Sequence, residues 1–506
     1  MITWEQAVAI ADQLLASPDI WKRDLGRVCK DCVNSAAPPA SRSIKRDWLA
    51  ANPPFYGAPE AWEIIHTIGL GNFGGEPDPG IWPAYPWAGY PIDADSYLDL
   101  LKGYSSVDGV LGSVASRLTC GRNVAALADD LAGDWRLFPP FAPRLTDRGL
   151  LYEEARTNLD RNSGMAGAVV GVIGSGGALP TNWSIGGAAG LTKTVVEIGT
   201  DRGIDYIDVR INGTSSDLYD AFYFDVGITG VLTAQPFTSS LFLTLKAGGI
   251  AGLNSNSAFR YLLTPSGFTD IATVSLLPFL VLGAPLTRVS ASGTTAGTPS
   301  GTAQHYFQLT HASGIAIDYT VRLGMPQVER GLFPTSPIRT IGAQVTRPAD
   351  NITLDPSVIV PEGHTMLWQY TPICTAAQRG TTAVPGGWAR TAAFLDTCYS
   401  GLSSGGSSSG AVIVGGASLG GSSVAGITGT GRIKVAQAFE LNNFRSGTNG
   451  ILGVLDSAVA VPAGPPAFMR LGDAPWGVGN GLNGWMELFA TWKRRVTDAE
   501  LQAMTL

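Results

Sequence analysis

Residues 314–324, GIAIDYTVRLG, set Ile315, Ile317, Tyr319, Val321 and Leu323 on one side of an extended chain and Ala316, Asp318, Thr320 and Arg322 on the other. A period of two fits a strand with one face buried and cannot form the stripe a helix needs. The pattern recurs in IDYIDVRING, where Ile207, Val209 and Ile211 oppose Asp208 and Arg210, and in LFLTLK, with Leu241, Leu243 and Leu245. It returns in GHTMLWQYTP, where Met366, Trp368 and Tyr370 alternate with Leu367 and Gln369. Turn-forming clusters such as SASGTTAGTPSGT divide the runs. Many short strands, frequent turns and little helical signal predict β-sandwiches.

Residues 1–140 read differently. Thr3 and Gln6 form a capping-box pattern ahead of Trp4, Val8, Ala11 and Leu15, and Ser17-Pro18 opens a second helix. Further short helices are expected near 43–51, 58–67, 95–103 and 121–133, and seven of the thirteen tryptophans lie in this segment. The predicted fold is therefore mainly β: two β-sandwich (jelly-roll) domains, 145–353 and 354–506, preceded by a small helical, Trp-rich N-terminal domain, 1–140.

Composition narrows the function classes. Only 15% of the 506 residues are charged while 64 are glycine, so solubility rests on hydroxyls, amides and turns, as in extracellular-type β proteins and virion components. A net charge of −7 leaves no basic surplus for phosphates, so no nucleic-acid partner is expected. No apolar run of about 18 residues occurs, so no membrane insertion is expected. The opening MITWEQAVAIADQ lacks the basic segment of a secretory signal. Cys29, Cys32, Cys120, Cys374 and Cys398 are odd in number and scattered, which is no disulfide framework. Cys29 and Cys32 have the spacing of half a zinc site, but no second ligand pair follows. Cys32 instead shares a helical stripe with Trp21, Leu25 and Val28.

The stretch GLLYEEARTNLDRNSG, residues 149–164, places Glu153 beside Glu154. Neighbours on a strand point to opposite faces, whereas a glycosidase needs two carboxyl groups about 5–9 Å apart converging on one cleft. A structural role is expected, with one glutamate paired to Arg156 or Arg347. The other catalytic signals are sparse. His66, His305, His311 and His364 are the only histidines; His305 falls on the apolar side of AQHYFQLTH, and no HExxH motif occurs. In WMELFATW, Glu487 stands without a second acid.

Two resemblances add to this reading. GLLYEEARTNLDRNS with ALPTNWSI, and LGMPQVERGLFPTSPIRTIGAQVTRPADNITL at the other end, resemble the two borders of a carbohydrate-binding-like jelly-roll module of tailed-phage structural proteins. FMRLGDAPWGVGNGLNGWMELFATWKRRVTDAELQAM resembles the closing part of a concanavalin A-like, laminin-G-like sandwich. They imply a virion protein, assembled in the host cytoplasm and released by lysis. Its N-terminal domain would bind other virion proteins, and its sandwiches would bind host cell-surface polysaccharide as a homo-oligomer, most often a trimer. No enzymatic activity is expected.

Candidate glycan contacts are the loop aromatics Trp183, Tyr399 and Trp476, with Asn480 and Asn483 beside the last. No cofactor is expected; calcium, which some relatives of the C-terminal fold bind, would use Asp396 or Asp473. The alternatives are a structural decoration or connector protein without glycan binding, and a polysaccharide depolymerase.

Overall fold

The computed structural model describes residues 94–506, apart from 109, 188–189, 216–218, 255–256, 264–268, 297–301, 392, 463 and 478, together with Asp12. The helices expected before residue 94, Cys29, Cys32 and His66 lie outside the described residues. Within them the fold is mainly β, as expected, in two sandwiches.

The first sandwich packs a ten-stranded sheet on a seven-stranded one. In the larger sheet, Gly484–Trp492 lies between Ser96–Asp99 and Gly363–Pro372, followed by Ile433–Glu440 and Asn443–Thr448. The smaller sheet runs Ala417–Val424, Ser408–Val414, Thr397–Leu402, Ala383–Ala389, Phe468–Leu471, Ile352–Leu354 and Leu118–Cys120. The alternation in 363–372 is realised: Met366, Trp368 and Tyr370 enter the interior with Trp388, Met469 and Phe489. Leu367 is buried as well, because the opposite face is covered by the helix Asp498–Thr505, whose Leu501 packs with Ala436 and Trp492. That helix opens with the Thr497–Glu500 capping box legible in the sequence.

The second sandwich spans residues 156–347. The central strand of its seven-stranded sheet is Ala316–Arg330, between Ile204–Thr214 and Pro236–Gly248. Its five-stranded sheet runs Ser184–Gly187, Tyr219–Ile228, Ala303–Thr310, Ala258–Leu263 and Thr269–Ser275. Ile207, Val209, Ile211, Leu241, Leu243, Tyr319 and Val321 face Phe222, Phe224, Phe307 and Leu309 across the core.

The expected division at 140–145 and 353–354 is corrected by the strand pairing. Residues 95–103 and 121–133, read as helices, contain the strands Ser96–Asp99 and Ala126–Asp129. Ser96–Asp99 pairs with Leu488–Thr491, so the C-terminal sandwich begins before the jelly roll and finishes after it. The jelly roll is an excursion between Gly149–Tyr152 in one sheet and Ile352–Leu354 in the other. Its two ends are tied where Arg156–Asn158 pairs with Val345–Arg347.

The acidic pair sits on this junction. Glu153, 1% exposed, lies 2.8 Å from both Arg144 Nη1 and Arg347 Nη1 and accepts hydrogen bonds from the Ser336 N–H and Oγ at 2.6 Å. Asp350 meets Arg144 Nη2 at 2.5 Å and Arg122 Nε at 3.1 Å, and accepts from the Glu153 N–H. Glu154 points elsewhere and pairs with Arg156 Nη2 at 2.6 Å. Both expected partners are used, one by each glutamate. Burial alone would raise the Glu153 carboxyl, but Arg347 and Arg144, aided by Ser336, hold it down at about 2.

Candidate functional site

Three aromatic side chains meet on the outer side of the seven-stranded sheet. Trp476 lies edge-on to Phe394 with ring centroids 4.6 Å apart and edge-on to Tyr399 at 4.8 Å. Phe394 is 40% exposed, and Tyr399 and Trp476 are half-buried. Tyr399 comes from the strand Thr397–Leu402; its pairing partner is Gly387, where a Cβ would come within 2.6 Å of the Tyr399 Cβ. Glycine keeps the floor beside the ring open.

The other two rings are carried by loops, each fixed by a buried aspartate. Asp473 accepts from the N–H groups of Ala474 at 2.7 Å, Asn480 at 2.9 Å and Gly479 at 3.1 Å, and from the Tyr152 hydroxyl at 2.5 Å. The Tyr152 ring fills the space that side chains at Gly472 and Gly481 would occupy, with a Cβ at Gly472 only 2.4 Å from it. Asp396 accepts from Arg390 Nε at 2.9 Å and from the Gly415 N–H at 3.0 Å, closing the turn that presents Phe394. The Gly415 N–H, followed by Arg390, holds the Asp396 carboxyl below the usual carboxylate range.

A cation needs oxygens that face it, whereas Asp396 and Asp473 face N–H, O–H and guanidinium donors. The two residues do not fit a calcium site; they build the loops.

Of the candidate contacts read from the sequence, Tyr399 and Trp476 fall in one place, and Asn480 ends the Asp473-anchored loop that carries Trp476. Asn480 is anchored through its backbone, its carbonyl accepting from the Val384 N–H at 2.8 Å, and its side-chain amide has no hydrogen-bond partner among the described residues. Trp183 is a correction: it is 8% exposed, its Nε1 donates to the Asn162 carbonyl at 2.9 Å, and its ring packs on Phe224 in the jelly-roll core. Asn483 is a second correction. It is fully buried at φ +48, and its Oδ1 accepts from the Glu154 N–H at 2.9 Å, so it belongs to the junction. Phe394 escaped sequence reading because AAFLDTCYS reads as one strand; the strand starts only at Thr397, and Phe394 stands in the turn before it.

The groups weighed for catalysis are engaged elsewhere. The Glu487 carboxylate contacts Gln369, Thr371 and Arg432. His305 and Asp160, 2.7 Å apart, are both fully buried between the sheets of the jelly roll. What the cluster offers is partly exposed aromatic surface made of rings set edge to face, the apolar chemistry that can receive the C–H face of a pyranose.

No protein-family profile matches the chain, and no curated protein matches it. Similar solved structures include the CBM40 of Ruminococcus gnavus IT-sialidase bound to alpha2,3 sialyllactose, at 16% identity over 29% of this chain and 83% of that chain, TM-score 0.25. They also include Trypanosoma rangeli sialidase in complex with the inhibitor DANA, at 10% identity over 76% of this chain and 77% of that chain, TM-score 0.23. A third is the CBM22-1-CBM22-2 tandem domain of Paenibacillus barcinonensis Xyn10C, at 9% identity over 66% of this chain and 99% of that chain, TM-score 0.20. Likenesses at these TM-scores carry no argument about function.

Proposed function

We propose that this chain is a non-enzymatic adhesin of a tailed-phage or phage-derived virion, part of a tail or head fibre or spike, and that its Phe394–Tyr399–Trp476 face binds host cell-surface polysaccharide. The observation that carries the binding reading is a partly exposed aromatic cluster held by two carboxylate-anchored loops. The virion assignment rests on the sequence motifs at the two borders of the jelly roll. In this reading the N-terminal, Trp-rich part of the chain, expected from the sequence over 1–140, attaches the protein to other virion proteins. Assembly as a trimer multiplies weak single-site binding by about 10²–10⁴ through effective concentration.

The test is retention of the full chain on immobilised surface polysaccharide from candidate hosts, with released sugar assayed in the same tubes. Retention without release is expected, and Trp476→Ala is expected to weaken it about tenfold or more, as loss of a central aromatic contact does. Oligosaccharide release would establish the depolymerase reading. Failure to bind any host glycan would leave the decoration or connector protein as the better account.

A further inference from the structure

A partly buried lysine reaches from the rim of the jelly roll toward its core. Lys193, on the strand Thr192–Asp201, pairs in register with Ile211, which pairs with Tyr319, and Ile211 and Tyr319 both point into the core. Facing this row from the five-stranded sheet is Asp220, which alternates with the inward-pointing Phe222 and Phe224 and is fully buried. Lys193 Nζ lies 2.5 Å from Asp220 Oδ1, and among the described residues no further group donates a hydrogen bond to either Asp220 oxygen. A buried ion pair is normally stabilised by hydrogen bonds on the remaining lone pairs, and without them burial of two charges is costly.

We propose that Lys193 and Asp220 are a modification site at which the two side chains condense into an intramolecular amide that links the two sheets. In the step proposed, one proton moves from the ammonium to the carboxylate across the contact, so that an amine faces a carboxylic acid. The amine lone pair attacks Cγ, the C–N bond forms, and the carboxyl oxygen leaves as water with the protons shed by nitrogen. No oxidant or co-reactant is consumed. Holding amine and acid in contact supplies the effective concentration that makes condensation favourable against bulk water. Two polar groups stand nearby: His311 Nε2 is 2.7 Å from the Tyr319 hydroxyl, and His311 Nδ1 is buried without a partner. Burial lowers the His311 imidazole below its ordinary value, and the neighbouring Asp220 carboxylate opposes that shift. The bond would close a loop between positions 193 and 220, 220 − 193 = 27 residues apart, and tie the sandwich covalently where the described cysteines are free.

Intact-mass measurement of the full chain tests this directly. The expected mass is one water below that of the sequence, with a branched tryptic peptide joining the segments around 193 and 220 and no cleavage after Lys193. Lys193→Arg, which keeps the charge but not the amine nucleophile, is expected at its full sequence mass and to melt at lower temperature. A wild-type chain at full mass with ordinary cleavage after Lys193 overturns the proposal, as does a water loss mapped to any other site. The wild-type measurement decides the matter even if the variant fails to fold.

Discussion

Glu153 at the junction and Asp473 under the aromatic face are both buried carboxylates, yet they organise their surroundings by different means. Glu153 is compensated by the guanidinium groups of Arg144 and Arg347. Asp473 is compensated by backbone N–H groups and one phenol. Removing Glu153 from the first setting takes the paired carboxylate from buried Arg347 and leaves Arg144 with Asp350 alone; removing Asp473 from the second leaves neutral donors that a water can satisfy. The junction therefore carries global stability, while the loop carries the local shape of the binding face. Tyr152, the last residue of its strand, and Glu153, the first beyond it, connect the two: one anchors Asp473, the other the jelly roll.

The sharpest way to break this comparison is Glu153→Ala. It is expected to lower unfolding stability by about 3–5 kcal/mol, the usual cost of breaking a buried ion pair from one side. A loss below about 1 kcal/mol in denaturant melts would show that the network is not what fixes the junction. Acid offers a second handle. Because the folded Glu153 carboxyl is depressed from 4.5 to about 2, its stabilisation is complete above pH 4.5 and is lost as pH falls toward 2. Glu153→Gln should flatten the stability–pH curve in that window and leave it unchanged near neutrality in slope; an unchanged acid limb would place the titration elsewhere. Asp473→Ala should cost less, about 1–3 kcal/mol, while weakening polysaccharide retention as strongly as Trp476→Ala. Equal loss of stability in the Glu153 and Asp473 variants would erase the distinction drawn here. The smallest effect is expected from Asn480→Ala: unchanged melting, because its side chain holds nothing in the fold, and a several-fold loss of retention in the same column assay.

Some of this was present in the sequence. Strict alternation identified the strands around 317–323 and 363–372 and the residues they bury, because burial on one face repeats every second residue in any sheet. The capping box at Thr497 and Glu500 is a local hydrogen-bond pattern and was legible for that reason. The pairing expected for GLLYEEARTN was met, Glu154 with Arg156 and Glu153 with Arg347, although both acids lie between the strands Gly149–Tyr152 and Arg156–Asn158 rather than on one.

Tertiary structure decided the rest. Period two tells which residues face inward but not which strand lies alongside, so the pairing of Ser96–Asp99 with a strand almost 400 residues later, and with it the excursion of the jelly roll from an interrupted sandwich, has no local signal. The same limit sent Trp183 to the surface in sequence reading and hid Phe394. A Trp in a turn is exposed only if no opposing sheet covers it, and Phe224 does. Lys193 and Asp220 likewise look like solvated charges in one dimension; only the meeting of two sheets turns them into neighbours inside a core, where desolvation changes what their chemistry can do.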